Sequence, residues 1–191
     1  MSFGIAVMGC KTALAQVALD TQSLMQVLAE VKEAELTFIE RRTSAFLVDE
    51  IKLTGRMFYQ APDKIEKFVE TPFLENIKIA VDKILIEKIS DNGDSSFQSY
   101  SLSSLDALNT TVEGIRATLS GDLTALTNNY EVELSGDMSN WSVLLIPKSP
   151  QVLEVIEKIA VSGSNSQIRV IETFDADGDE SRLDLSYQVT R

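Results

Sequence analysis

Residues 141–189 read WSVLLIPKSPQVLEVIEKIAVSGSNSQIRVIETFDADGDESRLDLSYQV, and this stretch decides the fold. It divides into three or four strands joined by short polar turns. Trp141 to Ile146 is apolar at every position but Ser142, the mark of a strand covered on both sides. Pro147 and Pro150 bracket a loop. Beyond it Leu153, Val155, Ile159 and Val161 alternate with Glu154, Glu157, Lys158 and Ser162, and Ile156 breaks the alternation. Ile168, Val170 and Phe174 follow. Leu183, Leu185, Tyr187 and Val189 then stand opposite Arg182, Asp184, Ser186 and Gln188. A sheet this one-sided needs a cover for its apolar face.

The cover is read upstream. Leu105, Leu108, Val112, Ile115 and Leu119 recur at spacings of three and four, with Leu123 and Leu126 beyond Gly121, which predicts helices over 104–119 and 122–128. Residues 20–33 predict a further helix, with Asp20 or Thr21 as cap and a Leu24, Leu28 and Val31 stripe widened by Val27. Between these helices the period is two. Leu36, Phe38 and Glu40 share one strand face, and Ile51, Leu53, Gly55, Met57 and Tyr59 share another. Gly55 predicts a bulge or bend, and Ala61-Pro62-Asp63 a turn. Strands over 64–70, 77–81 and 84–89 follow, and Asp91-Asn92-Gly93-Asp94 predicts a hairpin. Tyr130, Val132 and Leu134 begin the next strand, which turns at Ser135-Gly136-Asp137.

The 191-residue chain fits a single domain, 24% charged and 44% hydrophobic, with a net charge of −12. That charge supplies no basic footprint for nucleic acid and repels an anionic membrane surface. No apolar run is long enough to span a bilayer as a helix. The chain has no histidine and one cysteine, Cys10. These counts remove the usual neutral-pH general base, histidine-dependent triads and His- or Cys-ligated metal sites. No enzyme, cofactor or metal is expected. Carboxylates alone can still do acid–base work and could pair as glycosidase acids, but strand alternation places most of them on the solvated face.

Residues 1–15 are expected to be a truncated export signal, leaving residues 16–191 as the domain. Phe3 to Met8 forms its apolar part, and Ala13-Leu14-Ala15 is an A-x-A cleavage pattern before Gln16. No basic residue precedes the apolar run and Lys11 interrupts it, as a start codon placed too late would produce. Val7-Met8-Gly9-Cys10 is a weaker match to a lipidation signal at Cys10, and an unprocessed N-terminus is the third alternative.

Asp175-Ala176-Asp177-Gly178-Asp179 has its glycine fourth and strands on both flanks, so it predicts an acidic hairpin turn rather than an EF-hand loop. Arg41, Arg42 and Arg56 are expected to form ion pairs with neighbouring strands. Trp141, the single tryptophan, fits a core position better than a ligand contact.

The stretch Leu53-Thr54-Gly55-Arg56-Met57-Phe58-Tyr59-Gln60-Ala61-Pro62-Asp63-Lys64-Ile65-Glu66-Lys67 resembles the lipoprotein carrier (LolA) superfamily, with its glycine-containing strand, proline turn and returning strand. Ile168 to Tyr187, with Gly178-Asp179-Glu180-Ser181, is similar to that family's closing hairpin. The resemblance covers nearly all of the chain after Gln16. It implies an α+β fold: a strongly curved antiparallel sheet, an incomplete barrel, with helices covering its open apolar face. It also implies a periplasmic carrier that binds lipoprotein acyl chains or another lipid. An inner-membrane transporter would be the donor and an outer-membrane protein the acceptor, and a monomer is expected. The well-known carriers place an arginine just before the turn proline; here that residue is Ala61, with Arg56 five positions earlier, so the arginine's role is not transferred.

On this reading the cavity wall is expected to comprise Leu53, Met57, Tyr59, Val143, Leu145, Ile159, Phe174 and Leu185. The lid is expected to comprise Leu108, Val112, Ile115 and Leu119. An envelope sensor or regulatory lipid-binding module on the same scaffold, without transport, is the alternative.

Overall fold

A computed structural model describes residues 19–44 and 49–188. The expected signal, its Ala13–Ala15 cleavage pattern, Cys10 and Val189 all lie outside the described residues.

The chain opens with α1 (Thr21–Leu28), capped by Asp20, whose carboxylate accepts the Ser23 N–H at 2.7 Å. This helix ends short of the expected residue 33: Glu30 and Val31 close in tighter turns onto the Val27 and Leu28 carbonyls, and β1 begins at Glu33. Six strands then follow in meander: β1 (Glu33–Thr43), β2 (Ile51–Gln60), β3 (Lys64–Thr71), β4 (Leu74–Ala80), β5 (Lys83–Ile89) and β6 (Ser95–Ser101). Two helices cross over, α2 (Asp106–Ser120) and α3 (Leu123–Asn129). Gly121 separates them at φ 69°, and Asp122 caps α3 through the Ala125 N–H.

The remainder is β7 (Tyr130–Asp137), β8 (Asn140–Pro147), the single-turn α4 (Pro150–Leu153), β9 (Ile156–Ser164), β10 (Gln167–Asp175) and β11 (Glu180–Tyr187). Two expectations are corrected in this part. Pro150 starts a helical turn, so Leu153 and Val155 are not strand residues but exposed ones, 38% and 50% accessible. The strand begins at Ile156, which is its first inward residue and not an exception. The second correction concerns Trp141 to Ile146. Trp141, Val143 and Leu145 are fully buried, but Ser142, Leu144 and Ile146 are only half-buried, so that strand is covered on one face.

All eleven strands join one antiparallel sheet in the order β6-β5-β4-β3-β2-β1-β11-β10-β9-β8-β7. The first strand lies beside the last: Phe38 pairs with Leu185 on one side and Gly55 on the other. The free edges, β6 and β7, do not pair, so the sheet stays open. The expected bend at Gly55 is a register shift between β2 and β3; a Cβ there would run into the Phe68 carbonyl oxygen.

The helices cover the inner face. Leu24, Met25 and Leu28 of α1 and Leu126 of α3 are buried with Phe38, Tyr59, Trp141 and Ile159 in one cluster. Each such side chain contributes roughly 1.5–3 kcal/mol by leaving water. The Trp141 Nε1 donates to the Asn165 carbonyl at 2.9 Å, which fixes it as a core residue.

Candidate functional site

Two contacts hold α2 across the open face. On one side, Tyr130 Oη donates to the Thr110 carbonyl at 2.6 Å. Gly114 makes this approach possible, since a Cβ there would stand 2.6 Å from the same oxygen. Burial raises the Tyr130 phenol above its ordinary range, with the Glu113 charge adding to it. On the other side, the buried Arg116 donates to the carbonyls of Ala80 and Val81 in the turn between β4 and β5, and to Glu113 at 3.4 Å. Thus α2 is fastened to both halves of the sheet.

Beneath the start of α2 lies a cavity of about 660 Å³. Its apolar lining comes from Ile51 of β2, Ala107 and Leu108 of α2, and Val155 and Ile156 before and at the start of β9. Its polar lining comes from Glu40 and Arg42 of β1, Thr173 and Asp175 of β10, and Asp179, Glu180 and Ser181 of the closing hairpin. The volume lies within the usual range for small-ligand sites.

Glu40 forms part of the cavity's lining, 5% exposed. It accepts from Lys67 Nζ, from Arg42 Nε at 2.8 Å and from the Ser181 hydroxyl at 3.1 Å. Burial opposes the Glu40 charge, but Lys67 and Arg42 outweigh burial and hold the carboxyl below its ordinary range. Lys67 is drawn down from the lysine range by burial, with Glu40 countering. Asp175 is raised, by burial first and then by the charges of Asp177 and Asp179.

Of the expected lid residues, Leu108 lines this cavity. Val112 packs instead with Ile84 and Leu102, and Ile115 and Leu119 pack on the main core. Of the expected wall, Leu53, Met57, Tyr59, Val143, Leu145, Ile159 and Leu185 all face inward and are buried among the helices. Around Tyr59, Leu119 and Leu185 only about 10 Å³ is open, too little for a ligand, so the middle of the inner face is packed core. Phe174 takes the other face: its neighbours Thr173 and Asp175 line the cavity, and Lys158 Nζ stands 4.8 Å over its ring. Among the described residues there is no cluster of three or more metal-ligating side chains.

Glu40, Arg42, Ile51, Ile156 and Asp175 line the cavity but were not among the expected site residues. One signal was present: Glu40 follows Leu36 and Phe38 in the inward phase, and Lys67 lies between Ile65 and Val69 in the same phase. Two of the expected cross-strand pairs are found, Arg41 with Asp184 at 2.5 Å and Arg56 with Glu70 at 2.8 Å, whereas Arg42 pairs with Glu40 on its own strand.

A half-open sheet with helices laid across it is the frame on which the sequence comparison falls. Residues 13–189 match the family described as outer membrane lipoprotein carrier protein LolA-like. The chain belongs to that LolA-like family. The description is that of a carrier, a binding role and not a catalytic one. Among curated proteins, none matches the sequence. Among solved structures, a LolA superfamily protein from Nitrosomonas europaea is similar at TM-score 0.44 and 13% identity, over 91% of this chain and 95% of that one. A DUF1329 family protein from Desulfovibrio piger is similar at TM-score 0.36 and 7% identity, over 90% and 92%. No helix among the described residues of this LolA-like protein is long and apolar enough to cross a membrane.

Proposed function

We propose that this LolA-like protein is a periplasmic carrier that lodges an acyl chain, from a lipoprotein or another lipid, in the cavity beneath α2. The cavity of about 660 Å³, with Leu108, Ile51, Val155 and Ile156 on its walls, carries the reading. Each methylene withdrawn from water contributes about 0.8 kcal/mol, so one or two chains give binding that is firm yet transferable. Cargo arrives from an inner-membrane transporter and leaves to an outer-membrane acceptor; the protein works as a monomer without a cofactor and does no chemistry on its cargo.

The test is uptake of a fluorescent fatty acid, together with native mass spectrometry of protein purified from envelope extract. Saturable uptake, an acyl-bearing mass and loss of both in Leu108→Trp are expected. The apo mass alone, with no uptake, would overturn the reading.

A further inference from the structure

The charges around the cavity are uneven. Among the described lining residues, Glu40, Asp175, Asp179 and Glu180 are acidic and Arg42 is basic. Glu40 is answered by Lys67 and Arg42. The hairpin between β10 and β11 is different. It carries Asp175, Asp177, Asp179 and Glu180, and among the described residues no salt bridge reaches Asp175, Asp177 or Glu180. Asp175 is held above its ordinary range by burial and by this crowding of like charge. Arg42, the one cation among the described lining residues, donates through Nε to Glu40.

An amphiphile lying against Leu108, Ile51, Val155 and Ile156 shares the cavity with these carboxylates. A carboxylate or phosphate head would meet like charge from Asp175 and Glu180 at this end of the cavity, and an ammonium head would be attracted to it. We infer that the cavity prefers amphiphiles with a cationic, amine-type head, the chain on the Leu108 wall and the ammonium at Asp175 and Glu180. This rests on the acyl-binding reading above and adds to it the chemistry of the head.

Calorimetric titration with dodecylamine and with laurate at pH 7 and low salt tests it, on the wild-type chain, on Leu108→Trp, and on the Asp175→Asn/Glu180→Gln double variant. Dodecylamine is expected to bind the wild type about tenfold more tightly than laurate, with the gap closing in 0.5 M salt and in the double variant. Leu108→Trp is expected to lose dodecylamine, which separates cavity binding from adsorption on an acidic surface. Laurate binding as tightly as dodecylamine, or a preference that survives in the double variant, would overturn the inference while leaving the acyl-binding reading in place; dodecylamine binding that survives in Leu108→Trp would mean adsorption on the acidic surface and would overturn the inference as well. If neither probe binds, both readings fall.

Discussion

Lys67 Nζ donates to the Glu40 carboxylate on the inner face of the sheet, and both side chains are largely withdrawn from water, 13% and 6% accessible. Charge is costly there unless paired, so the value of each residue lies in the other. Glu40→Ala, which strands Lys67, is expected to destabilise the protein by about 3 kcal/mol. The double change Glu40→Leu/Lys67→Met is expected to recover most of that loss, because it removes both desolvation costs. Urea unfolding decides it: a double variant no more stable than Glu40→Ala would show that the pair is not the source.

The same carboxylate gives an acid dependence of definite sign. Its folded pKa lies below the ordinary 4.5, since Lys67 and Arg42 overcome the opposing effect of burial. The stabilisation is therefore fully present above pH 4.5 and is lost as pH falls through the lower folded value. Other carboxylates titrate in the same range, so the difference between two proteins is the measurement. Wild type should lose more stability than Glu40→Gln between pH 5 and pH 3; parallel urea curves would refute it.

Tyr130 and Gly114 set how closely α2 approaches the start of β7. Gly114→Ala places a methyl 2.6 Å from Tyr130 Oη and is expected to cost about 1–3 kcal/mol through forced repacking. Tyr130→Phe loses the hydrogen bond to the Thr110 carbonyl and is expected to cost about 1 kcal/mol. Thermal denaturation of the two variants gives the order directly; a harmless Gly114→Ala would contradict the contact.

Arg116 pins the other flank of α2 to the carbonyls of Ala80 and Val81. Hydrogen bonds from a charged donor contribute about 1.5–3 kcal/mol, so Arg116→Met should loosen the helix by that order. Amide exchange within residues 106–120 is expected to accelerate more than exchange in β1 and β11. Uniform acceleration across the sheet would point to global destabilisation instead.

Tyr59 offers a contrasting case. Its Oη is buried and finds no hydrogen-bond partner among the described residues. Tyr59→Phe keeps the ring and removes an unsatisfied polar atom, so stability is expected to stay level or rise. A fall of more than about 1 kcal/mol in urea unfolding would mean that the hydroxyl is engaged.

Residues 141–189 and the helical stripe at 105–119 made the architecture legible, because one-sided apolar alternation and a three-four repeat each have few structural solutions. The same patterns were silent about the site. Leu53, Val143, Leu145 and Ile159 face inward as alternation requires, yet inward is where both a core and a cavity are built. Which it becomes depends on what α1, α2 and α3 place opposite, and those helices come from distant parts of the chain. Phe174 went to the other face because β10 shifts register between Ile168 and Val170, a step invisible in a run of apolar residues.

The sequence by itself determined an acidic, histidine-free chain with an antiparallel sheet, a helical cover and the elements' order, since local periodicity and turn chemistry are properties of neighbours. Tertiary structure alone decided that β1 lies between β2 and β11, that Lys67 reaches Glu40, and that a cavity lies under Leu108 at the strand ends of β1, β2, β9, β10 and β11. Those facts depend on register between strands far apart in the chain and on how fully the helices fill the inner face, and close packing leaves room only where they do not reach.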